Sequence, residues 1–317
     1  MRKLCLAVLP LLLVACSDQP AMVESPLFSE GWGAADSDVD PALQLTHMLD
    51  AVNTALAEQG LEYRAAMVEY LTGAGDAAGA EVISKDLGNK QLGYDFVPFD
   101  SRRAWSGSLT GPDDDITYAV DQTLDAVPPF GGLGAAQTDA AIDRAMATWD
   151  GQRCSHLPLT RNPDYGIDIG VIAYQFGLGG SGYILADVQH AGWRDINFGS
   201  GVIGATFTFI FIDGSGNPTD IDNNGKLDVA FREIYYDPSF SWADDGATDV
   251  DVEAVALHEM GHGLSQAHFG NIFLMNNGSV KRAPAAVMNP YLLGQTRTLL
   301  GTDVGGHCAN WGPWPSY

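Results

Sequence analysis

One short stretch constrains this chain more than any other, the segment HEMGHGLSQAH at residues 258–268. His258 and His262 are four residues apart, so on an α-helix both imidazoles project from one face and can bind a single ion. Glu259 follows the first of them, where a carboxylate can take a proton from metal-bound water without binding the metal itself. Apolar residues precede the histidines at helical spacing, so the segment predicts a helix.

The third histidine of this segment decides what kind of metal site is expected. His268 lies six residues after His262, so the chain must leave the helix and turn back before this imidazole can reach the same ion. Three neutral imidazoles leave one tetrahedral position of zinc open for water, which is typical of a catalytic site. We therefore predict zinc bound by His258, His262 and His268, with Glu259 as the catalytic base. The alternative is a helix whose histidines are ordinary surface or core residues.

The segment resembles the elongated zinc motif HExxHxxGxxH of the metzincin metallopeptidases. Residues 285–291, AAVMNPY, are similar to the Met-turn of that clan, in which Met288 would form an apolar floor beneath the ligands. The Met-x-Pro form most resembles the matrixin branch, the matrix-metalloproteinase-like peptidases. Residues 299–312 resemble the closing helix of matrixins, with Asp303 in the place of a family acidic residue. The likeness covers about residues 103–317.

The resemblance implies an α+β fold with a twisted, mostly parallel sheet that ends in an edge strand, an active-site helix, a Met-turn and a C-terminal helix. It also implies an endopeptidase that cleaves proteins or peptides, with Glu259 assisting the attack of zinc-bound water. Residues 202–212 are the expected edge strand along which an extended substrate pairs. The motif glycine is replaced by Ser265. Either Ser265 adopts a strained left-handed conformation or the turn is displaced.

A second metal site is predicted in the acidic loop DIDNNGKLD at residues 220–228. Its order matches the first nine positions of an EF-hand-type calcium loop, with a glycine at the sharp turn. Phe231 stands at the twelfth position, where a bidentate glutamate belongs, so a regulatory EF-hand is not expected. A structural calcium loop is predicted, and a plain Asx-rich turn is the alternative. The expected ligands are Asp220, Asp222, Asn224, Lys226 through its carbonyl, and Asp228.

The N-terminus has the layout of a secretory signal, with basic residues, a short apolar run and then small residues. The sequence LVAC at residues 13–16 resembles a bacterial lipobox, which predicts cleavage before Cys16 and lipid attachment there. A signal peptide cleaved elsewhere is the alternative. The protein is therefore expected in the bacterial cell envelope, anchored at a membrane surface by lipid alone, or released outside the cell. Cys154 and Cys308 remain as an even pair, for which a disulfide is predicted and two buried thiols are the alternative.

Four segments are predicted along the chain. A signal peptide at 1–15 and a lipid-anchored tether at 16–38 precede a small α/β module at 39–102, interpreted as a propeptide or accessory domain. The peptidase-like domain follows at 103–317. No cysteine occurs between 17 and 153, so the thiol that keeps many matrixins latent is absent. Helices are predicted at 41–59 and 138–149, and strands at 61–71, 81–84, 93–97, 116–120, 167–176, 183–189, 202–212 and 229–236.

Charge limits the classes of partner. The formal net charge is −24 with only 16 Lys and Arg in 317 residues, which argues against binding to nucleic acid. As a separate expectation, a monomer is favoured. One alternative function is a cell-surface binding lipoprotein that keeps the metzincin fold and has weak or no activity. The presence of Glu259 beside the three histidines argues against it, since binding alone has no need of a base. A metal-storage or adhesion protein would explain the acidic loop but not the histidine motif.

Overall fold

The computed structural model describes residues 41–73, 92–104 and 114–316, except for residues 124, 197, 200, 248–249, 275–279 and 293. The predicted signal peptide, the tether, Cys16 and the strand at 81–84 therefore lie outside the described residues. Within the described ranges, no helix combines the length and the apolar character that crossing a bilayer requires.

The described residues form five helices and twelve strands. The helices are α1 (Pro41–Glu58), α2 (Ala135–Asp150), α3 (Val171–Gln175), α4 (Val252–Gly263) and α5 (Gly301–Trp311). The strands are β1 (Tyr63–Gly73), β2 (Tyr94–Asp95), β3 (Ile116–Val120), β4 (Leu159–Arg161), β5 (Val188–Trp193), β6 (Val202–Phe211), β7 (Leu227–Tyr236), β8 (Trp242–Ala243), β9 (Val250–Asp251), β10 (Asn271–Leu274), β11 (Val280–Ala283) and β12 (Tyr291–Leu292).

An eight-stranded sheet organises the fold in the order β12-β1-β6-β7-β5-β3-β4, with β2 added beside β7. Five of its seven pairings are parallel, and the other two, β1 with β6 and β6 with β7, are antiparallel. The predicted α+β class with a mostly parallel sheet is therefore confirmed. Each face of the sheet carries a core: α2, α4 and α5 cover one face, and α1 and α3 cover the other.

The prediction that residues 202–212 form an edge strand is wrong. β6 pairs with β1 on one side and with β7 on the other, and all ten of its residues are buried. Threonine and phenylalanine alternate between the two faces of this strand, and both faces are buried instead of one being exposed to solvent. Phe207 and Phe209 pack in the core under α1, whereas Thr206 and Thr208 bond charged groups on the α4 side.

β1 is a strand of this sheet and α1 packs on one of its faces. This corrects the prediction of a separate module at 39–102. β1 lies between β6 and β12, and its pairing with β6 extends from Tyr63 to Thr72. Leu45, Val52 and Leu56 of α1 have no exposed surface and belong to the same core as β6. The described part of this segment therefore shares its sheet and core with the residues predicted as the peptidase domain.

Most other predicted elements are confirmed, with two exceptions. The strand predicted at 183–189 is wrong except for its last two residues, since β5 begins at Val188. Residues 167–176 hold the short helix α3 instead of a strand, because the buried carboxylate of Glu233 accepts hydrogen bonds from the N–H groups of Val171 (2.6 Å) and Ile172 (3.1 Å). A carboxylate at these positions satisfies the first N–H groups of a helix. The predicted disulfide is present, and joins Cys154, beyond the end of α2, to Cys308 in α5.

Candidate metal centre

Three histidine rings converge at the end of α4. The Nε2 atom of His268 lies 3.0 Å from those of His258 and His262, which are 3.1 Å from each other. A tetrahedral zinc ion with bonds of about 2.0–2.1 Å would separate its ligand nitrogens by about 3.3 Å. The three predicted ligands are therefore brought together in a triangle close to the size that such an ion requires.

The other ring nitrogens fix the proton positions of two of these histidines. Nδ1 of His258 lies 2.7 Å from the carbonyl oxygen of Val287, and Nδ1 of His262 lies 2.7 Å from that of Gln266. Because a carbonyl only accepts, both Nδ1 atoms carry the hydrogen and both Nε2 atoms present lone pairs. These lone pairs face each other at 3.1 Å, an arrangement that a cation between them would stabilise.

Burial also keeps the three imidazoles neutral. It lowers the pKa of His262 to about 3, and it holds the pKa of His258 and His268 well below the ordinary value, with mutual repulsion among the rings adding to the effect. Neutral imidazole is the form that binds a metal ion. The histidines are thus in the ligand-competent state at neutral pH.

The helix that carries the first two histidines has a defined start and a tightly packed middle. Asp251 caps α4 by accepting a hydrogen bond from the N–H of Ala254 at 2.9 Å. Met288 is fully buried and packs so closely on Gly261 that a Cβ at this glycine would collide with its Sδ. The methionine thus packs against α4 between the two ligand positions, where the resemblance predicted an apolar floor.

Asp303 holds the turn that contains Met288. Its carboxylate accepts hydrogen bonds from the N–H groups of Val287 (2.9 Å), Met288 (3.1 Å) and Leu300 (2.8 Å). Since the Val287 carbonyl is the partner of His258 Nδ1, the contact positions one ligand ring indirectly. The acidic residue singled out in the sequence thus joins the start of α5 to the metal centre.

Ser265 adopts the left-handed conformation, with φ = 64°, which is the first of the two predicted alternatives. The guanidinium of Arg232 donates to its hydroxyl at 3.0 Å and to the Gly263 carbonyl at 2.8 Å. The Ser265 carbonyl accepts from the N–H of Leu92 at 2.8 Å and from Nδ2 of Asn310 at 3.1 Å. These bonds offset a backbone cost of about 1–3 kcal/mol and direct the chain toward His268.

Substitutions at Ser265 should separate the contribution of its hydrogen bond with Arg232 from the cost of its left-handed backbone. Ser265→Ala loses a hydrogen bond to a charged group and keeps the strain, so we expect the free energy of unfolding to fall by about 1.5–3 kcal/mol. Ser265→Gly loses the same bond but relieves about 1 kcal/mol of strain, so its loss should be smaller. Urea unfolding of both variants measures the difference, and a glycine variant less stable than the alanine variant would contradict this account.

Glu259 is held beside the ligands by β6. Its Oε2 accepts a hydrogen bond from the hydroxyl of Thr206 at 2.6 Å, and its side chain lies against Gly204. Burial, with repulsion from Glu69 as a smaller cause, raises the pKa of Glu259 to about 8. A nearby cation would lower this pKa toward the range of a working base. Glu259 has no exposed surface and His258 and His262 are each 1% exposed, whereas His268 is partly exposed.

Two charged residues near this centre were not predicted from the sequence. Glu69 on β1 and Arg232 on β7 have no exposed surface. The Glu69 carboxylate lies against Nδ1 of His262 and near the backbone N–H of His268. The sequence did contain an indication of both, since each is a charged residue within a largely apolar strand. Fully buried charges are rare unless they are paired or bound to a metal.

The acidic loop brings part of the predicted calcium set together. Carboxylate oxygens of Asp220, Asp222 and Asp228 lie within 4.8 Å of one another. The Asn224 side chain donates to Asp222 at 3.1 Å instead of presenting its oxygen there. Asp228 also pairs with the guanidinium of Arg102 at 2.8 Å. This loop therefore already has a positive partner with which a calcium ion would compete.

The chain matches no protein-family model and no curated protein. What the centre does must therefore be inferred from its own residues and from the motif that they share with metzincins.

Proposed function

We propose that the protein is a zinc-dependent endopeptidase on a metzincin-like fold. His258, His262 and His268 would hold the zinc, and Glu259 would be the general base. The observation that supports the proposal most is the convergence of three Nε2 atoms within 3.1 Å, beside a buried glutamate from the same helix. When bound, zinc supplies a water of lowered pKa and polarises the carbonyl of the bond to be cleaved.

The protein side chains account for the proton transfer and its geometry. Glu259 takes the proton of the attacking water and passes it to the leaving amine. The Thr206 hydroxyl, bonded to Oε2 at 2.6 Å, fixes the orientation of this carboxylate. The backbone carbonyl of Val287 holds the His258 ring and that of Gln266 holds the His262 ring, each with Nε2 directed inward.

Peptides are the proposed substrate class because of the resemblance to metzincins, since three histidines alone do not select among amides. One observation favours the alternative, a binding lipoprotein of weak or no activity: Glu259 has no exposed surface. Calcium in the acidic loop, export and the lipid anchor at Cys16 stay predictions.

Metal analysis combined with a peptide-library digest tests the proposal. We expect one zinc per chain, cleavage that stops on treatment with 1,10-phenanthroline, and recovery when zinc is added back. His262→Ala should lose the metal, whereas His156→Ala, which changes an exposed histidine, should keep it. Bound zinc without cleavage would support the binding alternative, and a wild type without zinc would refute both.

A further inference from the structure

A buried carboxylate from the N-terminal part of the chain contacts the metal centre. Glu69 lies on β1, far in sequence from the ligand motif, and its Oε2 lies against Nδ1 of His262. It also lies near the backbone N–H of His268. Glu69 therefore contacts the ring of one proposed ligand, His262, from outside the triangle of Nε2 atoms.

The pairing of β1 with β6 explains how Glu69 comes to this position. Glu69 lies directly opposite Thr206, and residues opposite each other on paired strands direct their side chains to the same face of the sheet. Thr206 is the residue that bonds Glu259. A single pair of neighbouring residues on the sheet thus supports both a ligand ring and the proposed base.

Arg232 supplies positive charge to the buried carboxylate of Glu69. A carboxylate without solvent contact is costly unless positive charge compensates it. Arg232 is the nearby guanidinium, and its donors bond Thr208, Gly263, Ser265 and the Tyr94 carbonyl. It attracts Glu69 through space, and it also attracts buried Asp95. Asp95 is also paired with Lys226 at 3.4 Å, and a cation held by the three histidines would bring further positive charge close to Glu69.

We propose that Glu69 is a positioning residue of the metal centre, the negatively charged partner of metal-bound His262. This inference rests on the proposed zinc site. Metal-bound histidines commonly have a carboxylate or carbonyl partner at the other ring nitrogen, which orients the ring and makes it a stronger ligand. His262 has both kinds, the carbonyl of Gln266 at 2.7 Å and the carboxylate of Glu69.

Removing the charge of Glu69 should weaken zinc binding. We expect Glu69→Gln to raise the zinc Kd about 10–100-fold, the usual effect of losing such a partner. Competition with a chromophoric chelator measures the Kd, and the visible spectrum of the cobalt-substituted protein reports the ligand geometry. Glu233→Gln is the matched control, a fully buried strand glutamate that bonds Val171 and Ile172 instead of a ligand histidine, and its zinc Kd should not change.

Thermal unfolding with and without zinc distinguishes positioning from a purely structural role. In Glu69→Gln the zinc-free protein should keep its stability, since glutamine has the size and shape of the buried side chain that it replaces, while the rise in Tm caused by zinc should shrink. A lower zinc-free Tm with an unchanged zinc Kd would overturn the inference. If the glutamine variant does not fold, Glu69→Asp takes its place: a Kd raised several-fold supports the inference and an unchanged Kd overturns it. A wild type that binds no zinc would instead refute the proposed function.

Discussion

Replacing Glu259 with glutamine is expected to abolish peptide hydrolysis while the protein still binds one zinc ion. The amide has the size of the carboxylate and its oxygen can accept the same bond from Thr206, but it cannot take a proton from water. General acid–base catalysis by one side chain contributes about 10²–10⁴-fold, so kcat/KM should fall at least that far. Initial rates on a peptide identified in the library digest, together with the zinc content of both proteins, measure the effect.

The control for this variant is a second glutamate of the same helix. Glu253 lies in the first turn of α4 and pairs with Arg144 at 2.6 Å and Arg297 at 3.2 Å, away from the histidine triangle. Glu253→Gln should retain wild-type kcat/KM, even if it is somewhat less stable. Full activity in Glu259→Gln would reject this residue as the base, and activity lost together with zinc would mean that it supports the metal instead.

Replacing Arg232 with methionine is expected to lower the free energy of unfolding by about 3–5 kcal/mol, the usual cost of removing one member of a buried charged network. Methionine fills much of the volume but leaves the Gly263 carbonyl and the Ser265 hydroxyl without their donor. It also leaves Glu69 without its arginine. Since a domain has only about 5–15 kcal/mol in total, urea unfolding should show a large shift of the midpoint.

A surface arginine supplies the comparison. Arg161 is partly exposed and pairs with Asp139 and Asp143, each at 2.5 Å. Pairs of this kind contribute about 0–1 kcal/mol, so Arg161→Met should lose no more than that. If Arg232→Met lost as little as Arg161→Met, the buried guanidinium would not be what holds the left-handed turn at Ser265.

The convergence of the three histidines could be predicted from the sequence because its geometry is local. A spacing of four residues on a helix places His258 and His262 on one face, and the short turn after the helix brings His268 back to them. The position of β6 could not be predicted, because alternation along a strand reveals two faces but not the neighbouring strands. Its partner β1 is far away in sequence. The helix α3 depends in the same way on Glu233, which reaches it from β7.

Glu69 and Arg232 show a second limit of sequence reasoning. Each is conspicuous as a charge inside an apolar strand, yet its partners are set by tertiary structure. Arg232 bonds Ser265, and the strain at Ser265 was visible as a departure from the metzincin motif. The compensation for that departure lies on another strand, which no pattern around the motif could reveal.

The enclosure of Glu259 has a consequence for how such an enzyme would work. A carboxylate with no accessible surface would meet the attacking water only after the groups around it move, so turnover would include such a movement. Motions of this kind commonly take microseconds to milliseconds and often limit turnover. The observed rate would then scale with the fraction of molecules in the open form. Substrates that stabilise the open form would then be cleaved in preference to others.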